Sequence, residues 1–233
     1  MNNFPFQIVG FDLDGTLLDT RADLGAALNH ALSLVDRAPV PVEQVADLIG
    51  GGARLMLDRA LVNSGGADGI DARALHKELL VYYEANIAVH TRLFPGGTDM
   101  LDALEARGVK LALVTNKLES LARILLEELD LTRRFATIIG GDTMGPGRNK
   151  PAPDQLHEMV ERLGGVSNKA AYVGDTTYDT KAVRAAGMPC VACSFGFNDL
   201  VADQLGADAV IGHFSELVPV LEGLTSAPPG PAP

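Results

Sequence analysis

Short apolar runs rich in β-branched residues alternate along most of this chain with stretches whose apolar positions recur at helical spacing. Continuous apolar runs suit strands covered on both faces, and successive parallel strands need a crossover that is usually a helix. The runs Ile8 to Asp12, Lys110 to Thr115, Thr137 to Gly140, Ala170 to Gly174, Cys190 to Cys193 and Ala209 to Ile211 are therefore predicted strands. Between most of them the spacing predicts one helix: Asp99 to Arg107, Leu118 to Leu129, Pro153 to Leu163 and Tyr178 to Ala186. Gly108, Gly164 and Gly187 stand where three of these should end in left-handed caps. The expected fold class is α/β, with a doubly wound, Rossmann-like parallel sheet as its core.

One interval breaks the alternation. From Asp19 to Leu93 there is no strand pattern, only four helical segments: Arg21 to Val35, Val42 to Ile49, Ala53 to Asn63 and Asp71 to Ala88. The chain returns through Phe94-Pro95-Gly96-Gly97, a loop by composition. With 233 residues available, an inserted all-helical cap domain is affordable in length. The expected division is residues 1–18 and 94–225 for the Rossmann-like core, 19–93 for the cap, and 226–233 for a Pro-rich tail that should be disordered.

Charge narrows the function. A net charge of -11 and a pI near 4.8 argue against a surface for phosphodiester backbones, so no nucleic-acid partner is expected. A small anionic ligand would be repelled at long range, and its site must hold local positive charge. No run approaches the ~18 apolar residues of a membrane span, and the first residues lack a basic and then apolar leader pattern. No membrane contact and a cytoplasmic location are expected. Cys190 and Cys193 have metal-like spacing, but on a strand they point to opposite faces and read as two reduced core thiols. The five histidines are scattered without ligand spacing.

In open parallel sheets the ligand site lies beyond the carboxyl ends of the strands. Those ends carry Asp12, Asp14, Gly15 and Thr16; Thr115 and Asn116; Lys150 in the loop after the Thr137 strand; and Gly174, Asp175 and Asp179. Taken alone, Asp12 to Gly15 can be a strand-ending turn, whereas Thr115 or Asn116 and Asp175 read better as helix N-caps and Lys150-Pro151 better as an exposed loop. Together, four carboxylates at one sheet edge repel one another unless a cation joins them. Mg2+ takes carboxylates, waters and phosphate oxygens, and Asp12 and Asp175 are its natural carboxylate ligands here.

The motifs Asp12-Leu13-Asp14-Gly15-Thr16-Leu17 and Gly174-Asp175-Thr176-Thr177-Tyr178-Asp179, with Thr115-Asn116 and Lys150-Pro151 between them, resemble those of the haloacid dehalogenase-like phosphohydrolases with a helical cap after the first strand. The resemblance implies a phosphoric monoester hydrolase. In it Asp12 is nucleophile and metal ligand, and Asp14 is general acid and base, binding the metal through its carbonyl. Thr115 and the backbone amide of Asn116 hold phosphoryl oxygens, and Lys150 neutralises charge. Asp175 ligates Mg2+ directly, and Asp179 supports it through water or from one contact further out. The cap segment Leu48-Ile49-Gly50-Gly51-Gly52-Ala53-Arg54 is similar to that of the phosphoglycolate phosphatase subgroup, where Arg54 either binds a substrate carboxylate or is a solvated helix residue. The loop Gly145 to Asn149 departs from the pattern in length and glycine content.

The expected partner is a small phosphate monoester, 2-phosphoglycolate first, with the chain acting as monomer or homodimer. A sugar-phosphate phosphatase or mutase is the alternative within the family. From a different class, a phospho-accepting signalling domain also gathers acids, a Thr and a Lys at strand ends.

Overall fold

A computed structural model of the chain describes residues 4–224. Its centre is a parallel six-stranded sheet of β1 (Ile8–Phe11), β4 (Lys110–Val114), β5 (Thr137–Ile139), β6 (Ala170–Gly174), β7 (Cys190–Cys193) and β8 (Ala209–Ile211), in the order β5-β4-β1-β6-β7-β8. The chain moves outward from β1 through β4 to β5, then crosses back to the other side of β1 at β6. That reversal places a crevice at the carboxyl ends of β1, β4 and β6.

The strands are buried on both faces. Val9, Phe11, Leu111, Leu113, Ala171, Val173, Val191 and Cys193 enter one core, whereas Ile8, Ala112, Val114, Ala170, Tyr172 and Cys190 enter the other. The split follows the two-residue period of a pleated strand. It also puts Cys190 and Cys193 on opposite faces, both buried and both free thiols, as expected. Burial raises the pKa of each thiol well above the ordinary value, with nearby carboxylates adding to the effect. Helices α5 (Gly97–Ala106), α6 (Glu119–Glu128) and α9 (Leu217–Gly223) cover the first core, and α7 (Asp154–Arg162) and α8 (Thr177–Ala185) the second. Gly108, Gly164 and Gly187 have φ of 70°, 64° and 67°, the left-handed ends that the sequence predicts. Helix α9 lies beyond the segments that periodicity singles out.

Four helices fill the interval between β1 and α5: α1 (Arg21–Ser33), α2 (Val42–Val45), α3 (Ala53–Asn63) and α4 (Ala72–Ala85). The predicted Val42 to Ile49 helix is α2 followed by a tighter turn over Ala46–Leu48, stopped by extended Ile49 and by Gly50 at φ 117°. Contrary to the expectation of no strand here, β2 (Leu18–Asp19) and β3 (Arg92–Leu93) pair antiparallel where the chain leaves and re-enters the sheet region. Two residues per strand are too few to show a period. Beside this ribbon the buried Asp23 of α1 accepts hydrogen bonds from His90 N, Thr91 N and Thr91 Oγ1, at 2.7 to 3.1 Å. The excursion thus begins and ends at one fixed point.

Among the described residues no helix is long and apolar enough to cross a membrane. The expected disordered tail, 226–233, lies outside the described residues.

Candidate active site

The four chemistry-bearing strand ends are neighbours, because β5, β4, β1 and β6 lie side by side. Asp12 N donates to Val173 O at 2.9 Å, extending the β1 ladder by one residue and holding the Asp12 side chain at the sheet edge. The chain then turns sharply, with Gly15 at φ 88° and Gly15 N donating to Leu18 O at 2.9 Å. A side chain at Gly15 would place its Cβ 2.2 Å from Asp175 Oδ2, and one at Gly196 would come within 2.4 Å of Asp175 Cβ. Two backbone segments therefore close on one carboxylate, as only glycine permits. Asp175 is further fixed by Thr16 Oγ1 at 2.7 Å and Phe197 N at 2.6 Å.

Lys150 comes in from the loop after β5 and is buried, so the glycine-rich Gly145 to Asn149 approach still delivers it to the centre. Its Nζ lies 2.8 Å from Asp12 Oδ1 and 2.7 Å from Asp179 Oδ1, and donates to Tyr172 Oη at 2.9 Å and Val114 O at 3.1 Å. Burial opposes the charge on this lysine, but Asp12 and Asp179 outweigh it and hold its pKa above the ordinary value. Asp12 is pushed up to about 6, first by burial, with Lys150 pulling down and Asp179 and Asp14 pushing up. Asp175 is raised well above the ordinary carboxylate value by burial, then by Asp179 and Asp12.

Carboxylate oxygens of Asp12, Asp175 and Asp179 lie within 4.8 Å of one another, and the Lys150 ammonium bridges Asp12 and Asp179. Three buried acids share one ammonium, and their burial and mutual repulsion disfavour the ionised forms of Asp12 and Asp175 until further positive charge arrives. An all-oxygen donor set of this kind, cradled by Gly15 and Gly196, fits a hard divalent cation. Asp179 is the most encumbered donor. Its other oxygen accepts from Thr176 N and Oγ1 in the capping box that starts α8.

Thr115, one residue past β4, is buried, and its Oγ1 accepts from Lys117 N at 3.2 Å. The Asn116 side chain donates to Gly50 O at 3.1 Å and Lys150 O at 3.0 Å, joining the loop before α3 to the Lys150 loop. Asp14 does not stand among carboxylates alone: Lys117 Nζ is 2.9 Å from its Oδ2. Arg54, in the first turn of α3, lines the same pocket, but its guanidinium is half exposed and paired with Asp58 at 2.9 Å. The structure thus gathers Asp12, Asp14, Thr115, Asn116, Lys150, Asp175 and Asp179, and leaves Arg54 at the rim.

Three contributors escape sequence reading. Gln155, fully buried in α7, accepts from Lys150 N at 3.0 Å and donates to Thr115 O at 3.1 Å and Gly140 O at 2.7 Å. Tyr172 looks like any apolar strand residue, yet its hydroxyl donates to Val114 O at 2.6 Å and accepts from Lys150. Lys117 directly follows the Thr115-Asn116 pair, and that adjacency is the one signal available for it.

Above the acids lies a cavity of about 210 Å³, walled by Asp12, Asp14, Thr115 and Lys117 on the sheet side and by Gly50 to Arg54, His76 and Tyr83 on the helical side. The haloacid dehalogenase-like hydrolase family model matches residues 9–193. The chain belongs to that family. It is 39% identical over 212 residues to a phosphoglycolate phosphatase of Agrobacterium fabrum, covering 91% of this chain and 90% of that one. A phosphoglycolate phosphatase of Caulobacter vibrioides is 36% identical, with 96% and 94% covered. Among solved structures, a predicted phosphoglycolate phosphatase from Haemophilus somnus superposes with a TM-score of 0.87 at 27% identity, covering 93% of this chain and 98% of that one.

Proposed function

We propose that this chain hydrolyses a small phosphate monoester, 2-phosphoglycolate, to glycolate and phosphate through a phosphoryl group carried on Asp12. The observation that carries the reading is Asp12 itself: a buried carboxylate at the end of the central strand, 2.8 Å from Lys150, opening onto a small pocket. The chain's relatives named phosphoglycolate phosphatase support the choice of ester. The cavity of about 210 Å³ suits a compact ligand better than the ~300–1,000 Å³ sites of larger ones.

Mg2+ would be held by the carboxylates of Asp12 and Asp175 and the carbonyl of Asp14, with Asp179 acting from behind. Bound there, it supplies charge to phosphoryl oxygens and relieves the repulsion among the acids. Thr115 Oγ1 and the backbone amide of Asn116 hold the remaining phosphoryl oxygens in line with Asp12. Asp12 attacks phosphorus and the P–O ester bond breaks; Asp14 gives its proton to the departing alkoxide, then takes one from the water that attacks the acyl phosphate. Lys150 stays in place throughout, balancing charge between Asp12 and the transferring group. Arg54 adds positive potential at the rim and must leave Asp58 to touch a ligand. Residues 19–93 serve as a cap that excludes water, over a core of 1–18 and 94–225.

Rates for a panel of phosphate esters with Mg2+ test the substrate. 2-Phosphoglycolate should lead in kcat/KM; sugar phosphates ranking above it would overturn that choice, and a phospho-enzyme outlasting turnover would favour a signalling role.

A further inference from the structure

The pocket contains a buried cation for which the reaction above has no use. Lys117 Nζ lies 2.9 Å from Asp14 Oδ2 and 4.6 Å from the centre of the Tyr83 ring, and its side chain is 6% exposed. Lys150 differs, because Asp12, Asp179, Tyr172 and Val114 together occupy its ammonium. Lys117 is matched to a single carboxylate, the one proposed to move protons. While that ion pair stands, Asp14 Oδ2 is engaged by an ammonium; its Oδ1 is buried with no hydrogen-bond partner.

We propose that Lys117 reads a carboxylate on the leaving-group side of the substrate, exchanging Asp14 for it and so releasing Asp14 for catalysis. The inference rests on the phosphatase reading above and names the residue that recognises the acid on the substrate's alcohol. The exchange swaps one carboxylate for another, so the buried ammonium is never left unpaired, which would be costly. A substrate with a neutral tail offers no replacement, and Asp14 stays clamped. Arg54, the other pocket cation free of the acidic cluster, is half exposed and already paired, so solvent weakens its hold on an anion. Tyr83 belongs to α4, so the helical segment supplies one wall of this tail site.

The test compares 2-phosphoglycolate with ethylene glycol monophosphate, in which a hydroxymethyl group replaces the carboxylate. The native chain should prefer the acid by about tenfold or more, in kcat as well as KM. In Lys117→Gln, kcat/KM for the acid should fall roughly a hundredfold while the neutral ester changes little or improves. Native rates equal for both esters would sink the substrate reading and this inference together. A native preference that Lys117→Gln lowers equally for both esters, or leaves intact, sinks the inference alone. If Lys117→Gln does not fold, the native chain and Lys117→Arg decide: glycolate should inhibit both at least about tenfold more tightly than ethylene glycol, and equal inhibition overturns the proposal.

Discussion

Replacing Lys150 by Met keeps most of the side chain's volume and removes the ammonium that bridges Asp12 and Asp179. The lysine is 2% exposed, so solvent cannot take over its role. Breaking a buried ion pair by deleting one partner costs about 3–5 kcal/mol, mostly because the partner's charge is left uncompensated. For a chain of this size each kcal/mol moves the melting temperature by about 2–4 °C, so the variant should melt roughly 6–20 °C below the native protein in metal-free buffer. The explanation demands more than a loss. Adding Asp179→Asn to the variant removes one stranded charge and should restore at least about 1 kcal/mol, making the two substitutions strongly non-additive. Thermal or urea unfolding of the four proteins in EDTA measures this cycle. A loss under about 1 kcal/mol for Lys150→Met, or losses that simply add, would refute the view that Lys150 is what makes the acidic cluster tolerable.

Asp12 gives a pH signature. Its folded pKa of about 6 stands above the unfolded 3.8, so its contribution favours folding below about pH 4 and is lost as pH rises through 6. Asp12→Asn should therefore gain on the metal-free native protein by about 2 kcal/mol between pH 4 and pH 7; a flat difference across that range contradicts the assignment. Gly196→Ala places a methyl group 2.4 Å from Asp175 Cβ and 2.5 Å from Gly15 O, displacing the acid from its cradle. The Mg2+ concentration for half-maximal activity should rise about tenfold or more while circular dichroism stays native, and an unchanged Mg2+ requirement would rule out the cradle.

The sheet is legible in the sequence because its strands are apolar on both faces and each crossover helix has its own period. The strands stop one residue earlier than the apolar runs at Asp12, Thr115 and Gly140, the points where the chain turns into the site. Motif residues distributed over 168 positions, from Asp12 to Asp179, are brought together because their strand ends share one edge. What stays hidden depends on tertiary partners. Gln155 reads as a polar helix residue until Lys150, Thr115 and Gly140 are seen around it, and the hydroxyl of Tyr172 has meaning only opposite Lys150. Arg54 shows the opposite case. A positive residue beside glycines suggests an anion contact, but a carboxylate four residues along its own helix, Asp58, takes the guanidinium.

The central claim is that Asp12 carries the phosphoryl group, and the most direct test is intact-mass and peptide analysis of protein quenched in acid during turnover of 2-phosphoglycolate with Mg2+. One phosphoryl group should appear on the peptide containing Asp12, be removed by hydroxylamine as an acyl phosphate is, and be absent from Asp12→Asn together with turnover. Phosphate found on another residue, or Asp12→Asn hydrolysing the ester at a near-native rate, would contradict the account.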